Sequence, residues 1–407
     1  MSSWQTKLLG EFIELKRGYD LPSRNRLPGA FPLVTSSGPT EFISQWKVKG
    51  PGVVTGRYGT VGQVFYVRED FWPLNTALYA RDFQGNIPRF VYYFLQGIDW
   101  EKFNDKSGVP GINRNDVHRE SVFVPPLDQQ KQIVSVLGAL DDKIELNRRM
   151  NETLEAMAQA IFRDWFVDFG PVRRKMAGVS DPVAIMGGLT PDPSRAAELA
   201  ALFPDQLGDD GLPEGWRPAT VGSAFNLTMG QSPPGDTYNE NGDGLPFFQG
   251  RTDFGFRFPE PRKFCTHPTR TARPDDTLIS VRAPVGDLNM AWEECCIGRG
   301  VAAARHKAGG KTYTYYAMKA LQPDLVQFDN EGTVFGAINK KQFEQLVVVE
   351  PGDKLTSAFE ALAAPLDDRL RSGAAENRTL AETRDYLLPR LMSGEVRVRD
   401  LNLENIA

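Results

Sequence analysis

The chain has 407 residues, of which 41% are hydrophobic and 24% are charged. This composition is typical of globular proteins and excludes disorder over most of the chain, while the length allows two or three domains. The net charge of −5 is uneven, because residues 1–125 carry +3 and residues 216–351 are neutral. Since phosphate binding depends on the local field, the acidic total does not exclude a nucleic-acid partner.

Neither a membrane span nor a disulfide framework is predicted. No apolar run reaches the length of about 18 residues that a membrane helix needs, and residues 1–7 do not lead into a signal-peptide core. The three cysteines, Cys265, Cys295 and Cys296, are too few and too clustered for a disulfide framework. We therefore expect a protein of a reducing compartment, the cytoplasm.

Residues 1–125 are predicted as the first domain. They contain short apolar runs punctuated by Gly and Pro, at 31–34, 52–54 and 61–67, and a stretch of helical character at 90–95. Short strands mixed with few helices predict an α+β domain.

Residues 126–170 are predicted as a central spacer helix. Apolar residues and two asparagines recur at steps of four and three: Ile133, Leu137, Leu140, Ile144, Asn147, Asn151, Leu154, Ala158, Ile161 and Trp165. This heptad seam predicts a coiled-coil helix, and 40 residues of helix would be about 60 Å long. Buried asparagines in a seam cost stability but fix the register.

Residues 171–215 are predicted as a linker, because six prolines and several glycines interrupt them. One short helix is predicted at 194–203, with Asp192 or Ser194 as its cap.

The remainder of the chain repeats these segments. A shift of 226 residues places 111–115 on 337–341 and Asp141–Asp142 on Asp367–Asp368, and the shift is 224 and then 212 further upstream. Changing shifts indicate loop insertions in a shared scaffold. We therefore predict a second domain at 216–351, with a helix at 312–318, and a C-terminal spacer helix and tail at 352–407.

The second seam runs from residue 359 to residue 391 and is weaker than the first. It contains Gly373 and Arg384, and Pro365 and Pro389 lie beside it. Pro365 is expected to kink the helix or to mark a late start.

The predicted fold is α+β: two repeated α/β domains joined by two long helices that form an antiparallel intramolecular coiled coil. A lone helix cannot bury a seam of this length, which favours pairing. The alternative is two independent amphipathic helices, each packed on its own globule.

No motif in the sequence predicts catalysis. No Gly-x-Gly-x-x-Gly opens a helix, no Asn/Asp-Pro-Pro-Tyr tetrapeptide occurs, and Glu14-Leu15-Lys16 lacks the preceding Pro-Asp of one nuclease class. Cys265, His267, Cys295 and Cys296 lack paired Cys-x2-Cys spacing, so ordinary thiols are the preferred interpretation. We predict no catalytic residue, no cofactor and no metal.

Three helical segments resemble the type I restriction–modification specificity subunits. They read LDQQKQIV at 127–134, LDDKIELN at 140–147 and AIFRDWFVDF at 160–169. GLPEGW at 211–216 and LLPRLMSGE at 387–395 are also similar to that family. The resemblance covers nearly the whole chain, with the helical segments as its specific part.

The resemblance implies a non-catalytic subunit with two target-recognition domains, one for each half of a split double-stranded DNA sequence. It also implies that the paired helices hold these domains apart. The implied partners are two methyltransferase (modification) subunits and the restriction (motor and nuclease) subunits. The recognised sequence does not follow from it, because the globules resemble the family only in outline.

Base and phosphate recognition needs Arg, Lys, Asn, Gln or hydroxyl side chains on exposed loops. The candidates in the first globule are Arg17, Tyr19, Ser36, Arg57, Tyr58, Asn113 and Arg114. Those in the second are Gln231, Arg251, Arg282, Arg299, Asn339, Lys340 and Lys341. Each could instead be an ordinary solvated turn or strand-edge residue, and the repeated Ile-Asn could form a strand-to-helix corner.

Three classes of function stay open at this point. The favoured one is a DNA-reading subunit, the second is a coiled-coil protein–protein scaffold without DNA readout, and the third is an unrecognised enzyme in one globule.

Overall fold

The computed structural model describes residues 4–104, 111–329 and 336–401. The chain divides into two compact units, Met1–Arg148 with Ala374–Ala407, and Arg149–Gly373. Both divisions fall inside long helices, so the domain boundaries expected from the sequence stay a prediction.

The described part of the first unit contains sheets of four, three and two strands. Their strand orders are β2-β8-β5-β6, β4-β3-β7 and β1-β9. The strands are β1 Gln5–Leu8, β2 Glu14–Arg17, β3 Pro28–Thr35, β4 Gly38–Ile43, β5 Gly52–Gly56, β6 Val64–Val67, β7 Trp72–Pro73, β8 Ala77–Asp82 and β9 Ser121–Val124. The helices that begin in this unit's first segment are α1 Leu9–Phe12, α2 Pro88–Gln96, α3 Arg114–His118 and the central helix α4 Leu127–Phe166.

The second unit repeats this order and adds strands. Its sheets run β11-β19-β16-β17, β12-β14-β13-β18-β15 and β10-β20. The helices are α5 Gly170–Met176, α6 Pro182–Ile185, α7 Pro193–Ala200, α8 Val221–Ala224, α9 Lys311–Ala320, α10 Gln322–Val326, α11 Lys340–Gln345 and the C-terminal helix α12 Asp353–Ser393. The strands are β10 Arg217–Thr220, β11 Phe225–Met229, β12 Tyr238–Asn239, β13 Leu245–Phe248, β14 Phe264–Cys265, β15 Thr271–Ala272, β16 Thr277–Ser280, β17 Leu288–Met290, β18 Cys295–Ile297, β19 Val301–His306 and β20 Val347–Glu350.

The predicted repeat is confirmed in the register of the strands. Gln5 pairs with Val124 in the first unit, and Arg217 pairs with Glu350 in the second. Val54 pairs with Tyr79, and Leu278 pairs with Ala303. The paired positions differ by the same shifts of 212, 226 and 224 residues that relate the two halves of the sequence.

The two long helices pair in antiparallel fashion, as predicted. In the first unit, Asn147 Nδ2 donates to Asn377 Oδ1 at 3.0 Å and to Glu376 Oε2 at 2.8 Å. In the second unit, the ring centroids of Phe162 and Phe359 lie 5.5 Å apart. In the first unit, Arg384 Nη1, from the second half of α12, also donates to Asp141 Oδ1, from the first half of α4, at 3.1 Å. The helices therefore run in opposite directions in both units, and the alternative of two unpaired helices is wrong.

The weak points of the second seam have specific causes. A Cβ at Gly373 would lie 2.7 Å from Asn151 Oδ1, so the glycine makes room for that asparagine. Asp367, at 5% exposure, is buried beside the seam position Leu366, which corresponds to Leu140 of the first seam, and a buried arginine contacts Asp367. Helix α12 begins at Asp353, so the expectation that Pro365 marks a late start is wrong.

Residues 171–215 are more structured than the expected linker. Asp192 caps α7, as predicted, by accepting a hydrogen bond from Ser194 N at 3.1 Å. Ile185, Met186, Leu199 and Phe203 are buried. Phe203 packs on Trp165 with ring centroids 5.2 Å apart, so this segment contributes to the core of the second unit.

The core of the first unit joins its globule to the helices. Phe90 and Phe94 of α2 share one cluster with Leu137 of α4 and with Leu387 and Leu391 of α12. Among the described residues, no helix combines the length and apolar character needed to cross a membrane.

Candidate nucleic-acid interface

Three distant segments of the first globule meet around one open cavity of about 680 Å³, here called the cationic cavity. Its lining includes the end of β2, the turn after β5 and the start of α3. The candidates that it brings together are Arg17, Tyr19, Arg57, Tyr58, Asn113 and Arg114. Ile112 N donates to Arg57 O at 2.9 Å, and Gly18 N donates to Ala77 O at 3.0 Å, so backbone hydrogen bonds hold these segments in place.

The cationic cavity concentrates positive charge. Lys16, Arg17, Arg57 and Arg114 line it, with Asp116 as the acidic residue among the described lining. Such a surface attracts phosphate groups, because the local field adds over several cations.

Arg57 and Tyr58 form a stacked pair at the edge of this cavity. The guanidinium carbon of Arg57 lies 4.4 Å from the Tyr58 ring centroid, and its Nη2 donates to Tyr58 Oη at 3.2 Å. Stacking restricts the guanidinium plane, and a fixed planar fork is the geometry that recognises guanine edges or phosphates bidentately.

Tyr19 lies between a second tyrosine and two lysines. The Tyr79 hydroxyl, 2.9 Å from the Tyr19 hydroxyl, is the largest cause that lowers the pKa of Tyr19, and Lys16 and Lys47 lower it further. The ammonium groups of Lys16 and Lys47 each lie 5.5 Å from the Tyr19 ring centroid. The Tyr19 ring therefore carries a cluster of cations beside the cavity.

Ser36 lies in the turn between β3 and β4, next to the loop that carries Arg57. A Cβ at Gly56 would lie 3.0 Å from Ser36 O, and a Cβ at Gly59, where φ is +77°, would lie 4.0 Å from Ser36 Oγ. Ser36 is not among the described residues that line the cationic cavity.

Asn113 and Asn339 cap equivalent helices. Asn113 Oδ1 accepts a hydrogen bond from Asn115 N at 3.1 Å, and Asn339 Oδ1 accepts one from Gln342 N at 3.0 Å. Each asparagine is the N-cap of a short helix, as expected if the repeated Ile-Asn forms a structural corner before that helix. Their side-chain amide oxygens are engaged in capping, so the cations at these corners are Arg114 in the first globule and, in the second, Lys341 and Lys340, whose ammonium lies 3.5 Å from Glu344 Oε1.

The second globule exposes its candidates in two groups. Gln231 N donates to Ile297 O at 3.0 Å, and Arg299 N lies 3.4 Å from Ser232 Oγ, so Gln231 and Arg299 are neighbours. The backbone of Arg282 forms an isolated antiparallel β-bridge with Ala337, close in sequence to Asn339, Lys340 and Lys341. Both groups are exposed, as expected of residues that contact a partner.

Arg251 lines a different cavity, of about 330 Å³, and pairs with Asp287. Among the described residues that line this cavity, Arg251 is the one candidate of the second globule.

Lys47 and Phe103 were missed from the sequence as members of the first site. Contacts between distant segments place them there: Asn104, next to Phe103, forms a β-bridge with Ile112, and Lys47 N donates to Phe71 O at 3.0 Å.

The three cysteines are buried and free. Burial is the largest cause that raises the pKa of Cys295 and of Cys296 to about 12. Thiols that resist deprotonation are poor metal ligands, and no group of three potential ligands occurs in the described parts of the chain.

Comparisons with known proteins agree on one family. Residues 1–156 match the model of the type I restriction modification DNA specificity domain. The chain is 28% identical over 321 residues to a Methanocaldococcus jannaschii protein assigned as the specificity subunit of the type I restriction enzyme MjaX, with 77% of this chain and 69% of that protein covered. It is 26% identical over 366 residues to the HindI specificity subunit of Haemophilus influenzae, with 76% and 78% covered.

A solved structure supports the fold. The S subunit of a type I restriction–modification system from M. genitalium superposes with a TM-score of 0.60 at 16% identity, and 95% of this chain and 96% of that one are covered. Together with the duplicated globules and the antiparallel helices, these matches show that the chain is similar to type I restriction–modification specificity subunits over most of its length, and that residues 1–156 match the family's DNA specificity domain.

Proposed function

We propose that this chain is the non-catalytic DNA-specificity subunit of a type I restriction–modification complex and that each globule reads one half of a bipartite duplex. The observation that carries the proposal is the cationic cavity, because it gathers Arg17, Arg57 and Arg114 from three separate segments of a duplicated fold. A repeated module is suited to a target of two separated half-sites.

Within each globule, the candidate side chains divide by chemistry. The stacked Arg57–Tyr58 pair suits the bidentate reading of a base edge in the major groove. Exposed cations such as Arg114, Lys340 and Lys341 suit phosphates, which position the protein on the duplex without reading its sequence. Affinity then comes mainly from the phosphates, and selectivity comes from the base contacts.

The chain would act together with partner subunits in the cytoplasm. Two methyltransferase subunits would supply the methyl transfer, and the restriction subunits would supply the motor and the nuclease. The complex would work in the cytoplasm, where the DNA lies and where three free thiols are stable. We expect the purified chain alone neither to methylate nor to cut DNA, and incorporation of labelled methyl groups by that chain would contradict the proposal.

Binding to duplex DNA tests the proposal. The chain is combined with its methyltransferase partner, and its affinity for random and for methylation-site duplexes is measured over a range of salt concentrations. We expect binding that weakens steeply with salt. Arg57→Ala should lose about 1–3 kcal/mol in specific affinity, as for a removed base contact, whereas Arg114→Ala should weaken binding to all duplexes alike and make the salt dependence shallower.

The matched control is Arg195→Ala, which removes an exposed arginine on α7 whose partner is Glu198. Its affinity should equal that of the wild type. A protein–protein scaffold would show no salt-dependent duplex binding, and that result would overturn the proposal.

A further inference from the structure

Arg257 is a charged side chain that is almost completely buried in the second unit. It is 2% exposed and lies between β13 and β14, in a segment of residues 249–263 that we call the second reading loop. Its Nη2 donates to Asp367 Oδ1 at 2.6 Å, and its Nη1 lies 3.5 Å from Glu155 Oε2. Burial of a guanidinium is costly unless its charge is compensated, so these contacts indicate a specific role.

The partners of Arg257 all belong to helices. Glu155 lies on α4, Asp367 lies on α12, and Tyr315 of α9 presents its ring centroid 3.3 Å from the guanidinium carbon. The loop is therefore fastened to both long helices and to α9 through one side chain.

The charges of Arg257 and of the two helix carboxylates compensate one another. Burial is the largest cause that raises the pKa of Asp367, and the Arg257 charge opposes it. Glu155 lies in the same buried region and also pairs with Lys319. Without Arg257, two carboxylates would share a poorly hydrated space, so the loop cation stabilises the helix pair while the helices hold the loop.

Hydrogen bonds also hold the backbone of the loop on both sides of Arg257. Asn289 is fully buried, and it accepts from Gly255 N at 3.1 Å and donates to Gly255 O at 2.9 Å. Met290 N donates to Arg257 O at 2.8 Å, and Glu260 N donates to Asp253 O at 2.8 Å. These hydrogen bonds hold the loop to strand β17 and to itself, so the backbone around Arg257 has a defined position.

The loop also carries exposed side chains whose chemistry suits DNA contacts. Arg251 is exposed, and Phe256, next to Arg257, is 52% exposed. Both line the cavity of about 330 Å³ together with Tyr315 and Lys319. The cavity is also lined by Glu155, so the exposed residues of the loop lie beside the buried contact that Arg257 makes with the helices.

In the first unit, the aspartate at the equivalent position has different partners. Asp141, which corresponds to Asp367, accepts a hydrogen bond from Tyr93 Oη at 2.5 Å and one from Arg384 at 3.1 Å. Its cation comes from the partner helix and not from a loop of the globule. Fastening of a reading loop by a buried arginine is therefore a feature of the second copy.

We propose that Arg257 is the positioning residue of the second half-site: it fixes the second reading loop on the paired helices, and sequence selectivity at that half-site depends on it. The inference rests on the proposed function of the chain. It assigns no base contact to Arg257 itself, which is buried and acts through the loop that carries Arg251.

The test compares three variants in the complex with the methyltransferase subunits, and methylated sites are sequenced genome-wide. Arg257→Met leaves two buried carboxylates and should lower the melting temperature. The triple variant Arg257→Met, Glu155→Gln, Asp367→Asn should melt near the wild type, because neutral replacement of a buried ionic group is commonly tolerated. Arg257→Lys keeps the charge and the fold but lacks the planar stack on Tyr315.

The expected result is specific to one half-site. In the triple variant, the preference for the correct base falls about tenfold or more at the second half-site, the discrimination that one well-placed base contact provides. Arg257→Lys should show a smaller loss at the same half-site. The reciprocal control is Arg89→Met, which removes the bidentate contact of α2 with Asp142 in the first unit and should leave the second half-site unchanged.

Wild-type selectivity at the second half-site in the triple variant and in Arg257→Lys would overturn the inference. So would an equal loss at both half-sites, because it would indicate a general defect of the complex. Failure of the proposed function is distinguishable, since the wild-type complex would then methylate no bipartite sites at all.

Discussion

His118 joins two of the segments that carry the cations of the cationic cavity. It lies at the end of α3, and its Nε2 accepts a hydrogen bond from Leu15 N at 3.0 Å, next to Lys16 and Arg17. Only a neutral imidazole can accept this bond. Burial is the largest cause that lowers the pKa of His118, Arg114 lowers it further, and Glu14 opposes both.

The direction of the resulting pH dependence follows from linkage. Because the folded-state pKa lies below the unfolded value of about 6.5, the unfolded chain binds the proton first as the pH falls. The stabilisation is therefore present above pH 6.5 and is lost as the pH falls through the lowered folded-state value.

We expect the melting temperature of the wild type to fall between pH 7.5 and about pH 5.5, and to fall less in His118→Gln, whose amide oxygen can accept the same bond. His306 has a pKa lowered mainly by burial and retains its own contribution in that variant. Thermal melts at both pH values measure the effect. Equal losses in the two proteins would show that His118 does not titrate on unfolding.

Pro365 lies inside helix α12 and lowers the stability of that helix. It is exposed and lies twelve residues after the first residue of α12, which continues unbroken to Ser393. A proline there removes one helical hydrogen bond and crowds the preceding turn.

Pro365→Ala should raise the free energy of unfolding by up to about 3 kcal/mol, as measured by urea denaturation. Pro389→Ala is the matched control, because Pro389 is also exposed but lies in the last turns of the helix, where a lost bond matters less. A larger gain from Pro389→Ala than from Pro365→Ala would contradict this account.

The long helices were predictable because their signal is periodic. Steps of four and three from Ile133 to Trp165 locate a helix without any knowledge of its partner. The burial of Asp367 and of Glu155 beside the expected seam was not predictable, because Arg257 comes from a loop outside both helices. Polar exceptions in a seam depend on tertiary partners that periodicity does not reveal.

The candidate site was predictable residue by residue but not as a site. Arg17, Arg57 and Arg114 were identified by residue type and loop position, whereas their meeting depends on the strand order β2-β8-β5-β6, which local sequence does not specify. Strand pairing between distant segments is a property of the folded domain.

At the scale of the whole molecule, each long helix belongs to both compact units. If the pair sets the spacing of the half-sites, removing residues 144–150 and 374–380 together should shorten the unread gap. Seven helical residues span about 10 Å, close to three base pairs. Both deletions spare Asn151 and Gly373, and they remove helix–helix contacts such as that of Asn147 with Asn377.

The gap between methylated half-sites measures this effect. Removing residues 144–150 alone is the control, because it puts the seams out of register and should abolish specific binding while salt-sensitive binding to any duplex survives. An unchanged gap after the paired deletion would mean that the helices do not set the spacing.

The independence of the two globules is the central claim, and exchanging one of them tests it most directly. Residues 1–125 are replaced with the equivalent domain of another specificity subunit, and the methylated sites of the complex are sequenced genome-wide. We predict that one half of the recognised sequence changes, while the other half and the gap between them stay as in the wild type. A change in both halves, or in neither, would contradict the account.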